Sequence, residues 1–322
     1  MIIPNLSHEM VVAKVDKLVS DILKPNTRIS IQQINEQLNL YYQPMTLLYN
    51  NDLEYVNSIK WFIGSCYIVC DNYYPNEVIW DEATTQRFLQ ALIFYQYEYA
   101  TAMTDFAFQE QRNRKSLLDY INYFLEKYTR VLIVRVDVKI KSEFSHLVSV
   151  ETFQGFMNQL MKAIQRDKET EKKRKTNSNM NIDKGCFEDL RGYAWAIEQG
   201  VDNGGLHCHL VLIYNADKRQ QDWYLGEAVG KRWVEITEGL GWYNNGNTTE
   251  CKREYKRRGT LGVGMIHRDN LLEVKNAIYA ALYLTRPDKY GQRLKAWTPN
   301  MRTFGHGTYR TKKRRGLPPI AN

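Results

Sequence analysis

The sequence predicts an α+β protein: a central antiparallel or mixed sheet with helices packed on it, preceded by an all-helical N-terminal region. Three observations carry this. Residues 131–140 alternate with period two and are rich in β-branched side chains. Two apolar arms, 193–198 and 206–214, flank Asp202-Asn203-Gly204-Gly205, a strong hairpin signal. Before residue 128, apolar residues recur instead at helical spacing. The chain divides accordingly into a helical region at 1–127, a sheet-bearing domain at 128–300 and a basic tail at 301–322.

In order, helices are expected over 6–23 and 30–40, and an apolar helix or strand over 58–70. A long helix follows at 81–109, with Phe88, Leu92, Tyr95 and Tyr99 on one stripe, and 116–128 closes the region. Tyr41, Tyr42, Tyr95, Tyr97, Tyr99, Tyr120 and Tyr123 are all aromatic enough to stack on bases. A tyrosine stripe at helical spacing is read first as core, so no chemistry is assigned to this region.

In the strand at 131–140, Leu132, Val134, Val136, Val138 and Ile140 share one face, and Arg135, Asp137 and Lys139 the other. A helix is predicted over 150–164, carrying Phe153, Phe156, Leu160 and Met161. Residues 168–184 lack apolar periodicity, are dense in Lys, Glu and Asn, and are read as a mobile surface loop. After the hairpin come a helix at 223–239, a basic turn at 252–258 and a strand at 261–267. The last helix is capped by Asn270 with Glu273 and stopped by Pro287. Leu271, Val274, Ile278, Leu282 and Thr285 form its expected buried stripe, flanked by Lys275, Tyr279, Tyr283 and Arg286. All helices are expected on one side of the sheet, leaving a helix-free working face.

Of 322 residues, 43% are hydrophobic and 25% charged, as in a soluble globular protein. The longest apolar run, 61–70, is too short for a bilayer and no signal peptide is visible, so no membrane association is expected. Five cysteines (Cys66, Cys70, Cys186, Cys208, Cys251) without zinc-finger spacing suit free thiols in a reducing cytoplasm. The net charge of +8 is unevenly spread. Residues 252–322 hold 17 Lys and Arg against 4 Asp and Glu, whereas 1–251 hold 27 against 32. A basic surface of that kind binds polyanions, nucleic acid above all. Its expected phosphate contacts are Lys252, Arg253, Lys256, Arg257, Arg258, Arg302, Arg310, Lys312, Lys313, Arg314 and Arg315.

Chemistry concentrates at the hairpin. His207 and His209 lie on one strand face, about 7 Å apart. With a loop over 201–204, Glu198 faces His207 across the hairpin, Cβ atoms roughly 5 Å apart. Two imidazoles and a carboxylate there fit one divalent ion. By ligand type they suit Mn²⁺ or Zn²⁺, while Mg²⁺ prefers oxygen donors. Cys208 points the opposite way, into the core. Asp137 is either a partner or fourth ligand at this site or an ion-pair partner of Arg135. His267 and His306 stand alone and read as structural or phosphate-contacting. Tyr279 and Tyr283, four apart, project from one helix face.

His207-Cys-His209 in its apolar strand, Glu198 on the preceding arm and Tyr279-Ala-Ala-Leu-Tyr283 on a later helix resemble an HUH endonuclease. Tyr193-Ala-Trp-Ala-Ile-Glu198, Tyr283-Leu-Thr-Arg286 and Arg302-Thr-Phe-Gly305 are similar to the gene-two-like replication proteins of inoviruses and their prophage relatives of the YagK/YfjJ type. The likeness spans roughly 128–310 and implies an HUH/RRM-like sheet. It also implies a rolling-circle initiator that nicks and rejoins single-stranded or supercoiled origin DNA through a 5′-phosphotyrosine, in a bacterial cytoplasm. Mg²⁺ or Mn²⁺ would be held by Glu198, His207 and His209, with Tyr279 and Tyr283 as nucleophiles and a host helicase as a further partner. Relatives often carry a lysine three residues after the second tyrosine. Here Arg286 stands there, able to clamp a phosphate but not to release a proton, with Lys275 as a substitute. The rival readings are a relaxase or transposase of the same fold, a non-catalytic DNA-binding initiator or regulator, and a zinc hydrolase.

Overall fold

The structure, a computed structural model, describes residues 6–25, 27–70, 74–176 and 185–309. Helices α1 (His8–Leu23), α2 (Ile31–Leu48), α3 (Asn57–Cys70) and α4 (Glu82–Ile93) lead into α5 (Gln96–Lys127), with a short strand β1 (Glu54–Tyr55) among them. Then come β2 (Arg130–Ile140), α6 (Val150–Thr176), β3 (Leu190–Gln199), β4 (Leu206–Asn215), α7 (Asp222–Ile236), β5 (Gly241–Asn245) and α8 (Thr249–Arg257). The chain ends with β6 (Gly264–His267), α9 (Leu271–Leu282), β7 (Ala296–Trp297) and β8 (Phe304–His306). Among the described residues no helix is long and apolar enough to cross a membrane.

The expected α+β class holds, and the sheet is antiparallel throughout. Its order is β5-β2-β4-β3-β8, with β6 sharing the outer edge of β2. Asn247 fills the gap where that edge passes from β6 to β5. Its side chain accepts from the Arg135 N–H at 2.8 Å and donates to the Ile133 carbonyl at 2.9 Å. Two backbone groups that the interrupted ladder leaves unpaired are thereby satisfied.

The helices are not confined to one side. Leu132, Val134, Val136 and Val138 of β2 pack with Phe153 and Leu160 of α6 and Trp233 of α7, in a cluster continuous with the N-terminal helices. On the opposite face Val131, Ile133, Val211 and Ile213 pack under Leu117 and Ile121 of α5 and Ala277 and Ala281 of α9. This second face carries apolar residues toward the start of β2 and polar ones (Arg135, Asp137, Lys139) toward its end. Two helices cover the apolar part and leave the polar part for the site. A helix-free working face is therefore replaced by a half-covered one.

Several element boundaries also differ from expectation. The helix expected over 81–109 breaks at Phe94, where Tyr95 stacks on Trp61, and α5 then runs unbroken through 116–127. Helix α2 continues through Pro44 to Leu48. Helix α6 includes 168–176 of the expected loop. Its polar end is held by Glu171, which accepts from the Asp189 N–H at 3.0 Å and pairs with Arg191, and by an Arg174–Glu188 pair. Residues 177–184 of that loop lie outside the described residues. The basic turn is helix α8, capped by the Thr248 hydroxyl. Of the stripe expected on this last helix only Leu271 is exposed; Leu282 and Thr285 are buried, Val274 and Ile278 pack half-buried against the core, and Ala277 and Ala281 join them.

Glu9 of α1 ties the helical region to the sheet. Its carbonyl accepts from the Gln199 amide at 2.9 Å, and its carboxylate accepts from the Val150 N–H at the start of α6. Gly204, with φ +67°, lies so close beneath α1 that a Cβ there would come 2.2 Å from the Glu9 carbonyl oxygen. The C-terminal β7 completes the link by pairing with β1.

Candidate metal and tyrosine site

Strand register assembles the first part of the site. Glu198 on β3 is the cross-strand partner of His207 on β4, and His209 on β4 is the partner of Asp137 on β2. The four side chains share one sheet face at the polar end, as the alternation predicts. Cys208 between the histidines is fully buried on the other face. The ligand atoms of Glu198, His207 and His209 lie within 4.8 Å of one another.

Hydrogen bonds fix how the imidazoles point. His209 Nδ1 lies 2.6 Å from Asp137 Oδ1, and His207 Nδ1 lies 3.3 Å from the Gly205 carbonyl oxygen. Both partners can only accept, so each ring carries its proton on Nδ1 and turns a lone pair outward from Nε2. Those two nitrogens lie 3.3 Å (His209) and 3.6 Å (His207) from Glu198 Oε2. That oxygen is buried and has no hydrogen-bond partner among the described residues. With both rings neutral, three acceptor atoms thus converge with no proton between them. The donor set fits a divalent cation, and orphaned acceptors of this kind are what an ion satisfies.

Asp137 combines its two predicted readings, since it holds His209 and also accepts from Arg135 Nε at 3.4 Å. Burial pushes its carboxyl up, but His209 and the Arg135 guanidinium outweigh burial and hold it down at about 2. Burial likewise opposes the Glu198 charge, and the two imidazoles with Lys289 hold that carboxyl well below the usual range. Burial lowers His209, but Asp137 and Glu198 together raise it.

The second part of the site comes from α9. The α-helix ends at Leu282, and Tyr283 begins a short 3-10 turn to Thr285 rather than continuing the helix. That turn lays the Tyr283 ring edge-on against His209, with centroids 5.3 Å apart. Arg135 and Lys289 face the ring at 4.5 and 3.5 Å from its centroid, and Arg286 lies at 5.8 Å. Burial and the Glu198 charge push the phenol up, while Arg135 pulls it down. Tyr279 is 61% exposed and shares only a small cavity with Tyr283, Arg135 and Tyr255.

Nothing in the sequence singles out Lys289. Its ammonium donates to Glu198 Oε1 at 2.6 Å and lies over the Tyr283 ring. It holds one carboxylate oxygen and leaves the other to the imidazoles. Pro287 lies between Tyr283 and Lys289 and begins the 3-10 turn that brings this lysine back to the sheet. Arg286 is exposed and paired with Asp288. Lys275 is exposed on α9 and lines neither of the cavities described next.

The metal-fitting trio lies between two open cavities. One of about 740 Å³ is bordered by Asp137, His207, His209, Lys139 and Trp242. The other, of about 440 Å³, is bordered by Glu198, Lys289 and Arg286. The remaining basic candidates are more dispersed. Lys252 pairs with Asp222, and Arg257 and Arg258 pair with Glu254. Arg253 and Lys256 are exposed, and Arg302 lies at the rim of the smaller cavity. Arg310, Lys312, Lys313, Arg314 and Arg315 lie outside the described residues. His306 stacks on Tyr120 and bonds Ser116, and the exposed His267 bonds Glu273.

The family model described as YagK/YfjJ C-terminal domain matches residues 109–307, more than half of the chain. No curated protein and no solved structure matches significantly.

Proposed function

The chain belongs to the YagK/YfjJ C-terminal domain family, and we propose that it is a metal-dependent single-strand DNA nickase and strand transferase of the HUH type. In this reading it starts rolling-circle replication of a phage-like element in a bacterial cytoplasm, with a host helicase unwinding behind it. The relation to inovirus gene-two-like initiators belongs to the same proposal. The observation that carries it is the contact between the Tyr283 ring and His209, which brings a phenol to the trio Glu198, His207 and His209.

Those three residues would hold Mg²⁺ or Mn²⁺, with Zn²⁺ as the third candidate, and the ion would supply Lewis-acid polarisation of a non-bridging phosphate oxygen. Asp137 keeps His209 in the tautomer that presents Nε2. Tyr283 Oη attacks phosphorus and loses its proton. The P–O3′ bond breaks, the 3′ oxygen takes up a proton, and the protein keeps the downstream fragment as a 5′-phosphotyrosine. Tyrosine is a weak nucleophile near its free pKa of about 10, so Lys289 and Arg135 against its ring stabilise the phenolate as it forms. Tyr279 takes part in a second transfer rather than the first.

A pool of 3′-labelled single-stranded oligonucleotides of random sequence, incubated with the protein and Mn²⁺, tests this. Labelled DNA should migrate with the protein in denaturing gels, and His207→Ala should abolish that adduct while retaining most DNA binding. Undiminished adduct in a Tyr279→Phe, Tyr283→Phe double variant, or in a chelator, would overturn the reading.

A further inference from the structure

The cavity of about 440 Å³ is lined by Glu198 of the metal-fitting trio and by Lys289, whose ammonium lies over the Tyr283 ring. It lies between the middle of α5 and the chain from Leu284 to Phe304, which returns across the sheet after the 3-10 turn. Besides aliphatic side chains and the carboxylates of Glu110 and Glu198, three kinds of side chain stand in its wall. Phe106, Trp297 and Phe304 give aromatic surface. Asn113 and Gln292 give amides; Asn113 donates to Glu110 and accepts from Gln109, whereas the Gln292 amide has no hydrogen-bond partner among the described residues. Lys289, bonded to Glu198, stands on the side that meets the metal-fitting trio, and the exposed Arg302 adds a second cation at the rim.

We propose that this cavity receives one nucleobase adjoining the scissile phosphate, splayed out of the strand and read there. The inference rests on the nickase reading and adds a specificity pocket to it. A single-stranded base offers two π faces and an edge of mixed donors and acceptors, which aromatic walls and amides match. An apolar peptide or lipid tail would leave the Gln292 amide unsatisfied, and burying it unpaired is costly. A volume of this size is in the range of small-ligand pockets and too confined for a duplex. The cations on one side and apolar walls on the other set the polarity of the occupant, backbone toward Lys289 and Arg302, base toward Trp297. Because Glu198 borders both cavity and trio, a base seated here places its own phosphate next to the reacting centre.

The test uses binding alone, with metal chelated, so that it stays separate from cleavage. Fluorescent dA12, dC12, dG12, dT12 and an abasic 12-mer are titrated into the full-length protein and followed by anisotropy. The wild type should bind its preferred homopolymer at least tenfold more tightly than the abasic strand, and discriminate among bases. Thr303→Trp, which fills the cavity from its exposed rim, should bind the preferred homopolymer no better than the abasic strand. Gln292→Ala adds no bulk and guards against misfolding of the larger variant, and it should narrow the spread among bases at least threefold. Wild-type binding within twofold for all five strands, or full discrimination retained in both variants, overturns the pocket. Discrimination without any adduct would leave the pocket standing and remove the nickase; an adduct without discrimination would do the reverse.

Discussion

Asp137 Oδ1 lies 2.6 Å from His209 Nδ1, across adjacent strands in direct register. This contact decides the chemistry of the imidazole, because a carboxylate on Nδ1 leaves Nε2 unprotonated toward Glu198. Replacing Asp137 with Asn removes the charge and permits the amide to donate, so the ring is no longer confined to one tautomer. Mn²⁺ affinity should fall about 10–100-fold, the usual cost of losing such a partner. Titration calorimetry on the metal-free protein reads this directly, and an unchanged affinity would mean that Asp137 serves only Arg135.

The same pair gives the ion-free protein a pH signature. The Asp137 carboxyl sits at about 2 in the fold, below the usual value of about 3.9 in an unfolded chain. Its contribution, on the order of 2 kcal/mol, is present above about pH 4 and lost as pH falls toward 2. His209 is raised, so its contribution is present below about 6.5 and lost as pH rises through the folded value. Urea midpoints measured in chelator from pH 2 to 8 should therefore show an acid arm that Asp137→Asn flattens. Parallel acid arms in the two proteins would contradict the assignment.

Lys289 touches both halves of the site, and its removal should separate them. Lys289→Met keeps the length of the chain and deletes the charge. The phenolate loses its nearest cation, and adduct formation should slow about 100-fold, the lower range for a positioned ionisable group. Metal binding has opposing changes, since Glu198 loses an orienting hydrogen bond while the ion loses a repelling neighbour. Mn²⁺ affinity should accordingly stay within about threefold of wild type. Equal losses in both measurements would reduce Lys289 to a scaffold for Glu198.

The sequence carried the hairpin half of this site almost completely. Period-two alternation and the Asp-Asn-Gly-Gly turn suffice to pair Glu198 with His207 and to turn Cys208 inward, because a strand register is a local consequence of turn length. The tyrosine half is governed by tertiary packing. Helical spacing alone extends α9 through Tyr283, whereas the α-helix ends at Leu282 and a 3-10 turn lays Tyr283 against His209. Lys289 follows a proline, beyond any periodic pattern. The break at Phe94 has no Gly, Pro or capping residue to announce it, and the charged end of α6 is held by ion pairs to Glu188 and Arg191 that no helical period predicts.

Gly204 tests whether the helical region supports the hairpin. Its φ is +67°, and an added Cβ would come within 2.2 Å of the Glu9 carbonyl oxygen, which leaves no room for a side chain. Gly204→Ala must displace either the turn or α1, at a cost of roughly 1–3 kcal/mol for backbone strain. Thermal denaturation should show the loss, and hydrogen exchange should quicken at Gln199, whose side chain bonds Glu9. A variant as stable as wild type would mean that the α1–hairpin contact is loose.

The two tyrosines differ in surroundings, and the difference should appear as an order of events. Tyr283 is half-buried against His209 with Arg135 and Lys289 on its ring, whereas Tyr279 is 61% exposed. Tyr283 lies against His209, whereas no ring contact ties Tyr279 to the trio among the described residues. In a single-turnover assay with 3′-labelled DNA, Tyr283→Phe should therefore cut adduct formation at least 100-fold, while Tyr279→Phe leaves it within about threefold. Joining of the bound fragment to a new 3′-hydroxyl should respond the other way if Tyr279 accepts in the second transfer. Adduct mapped by peptide sequencing to Tyr279 in the wild-type protein would reverse the order argued from the packing of Tyr283.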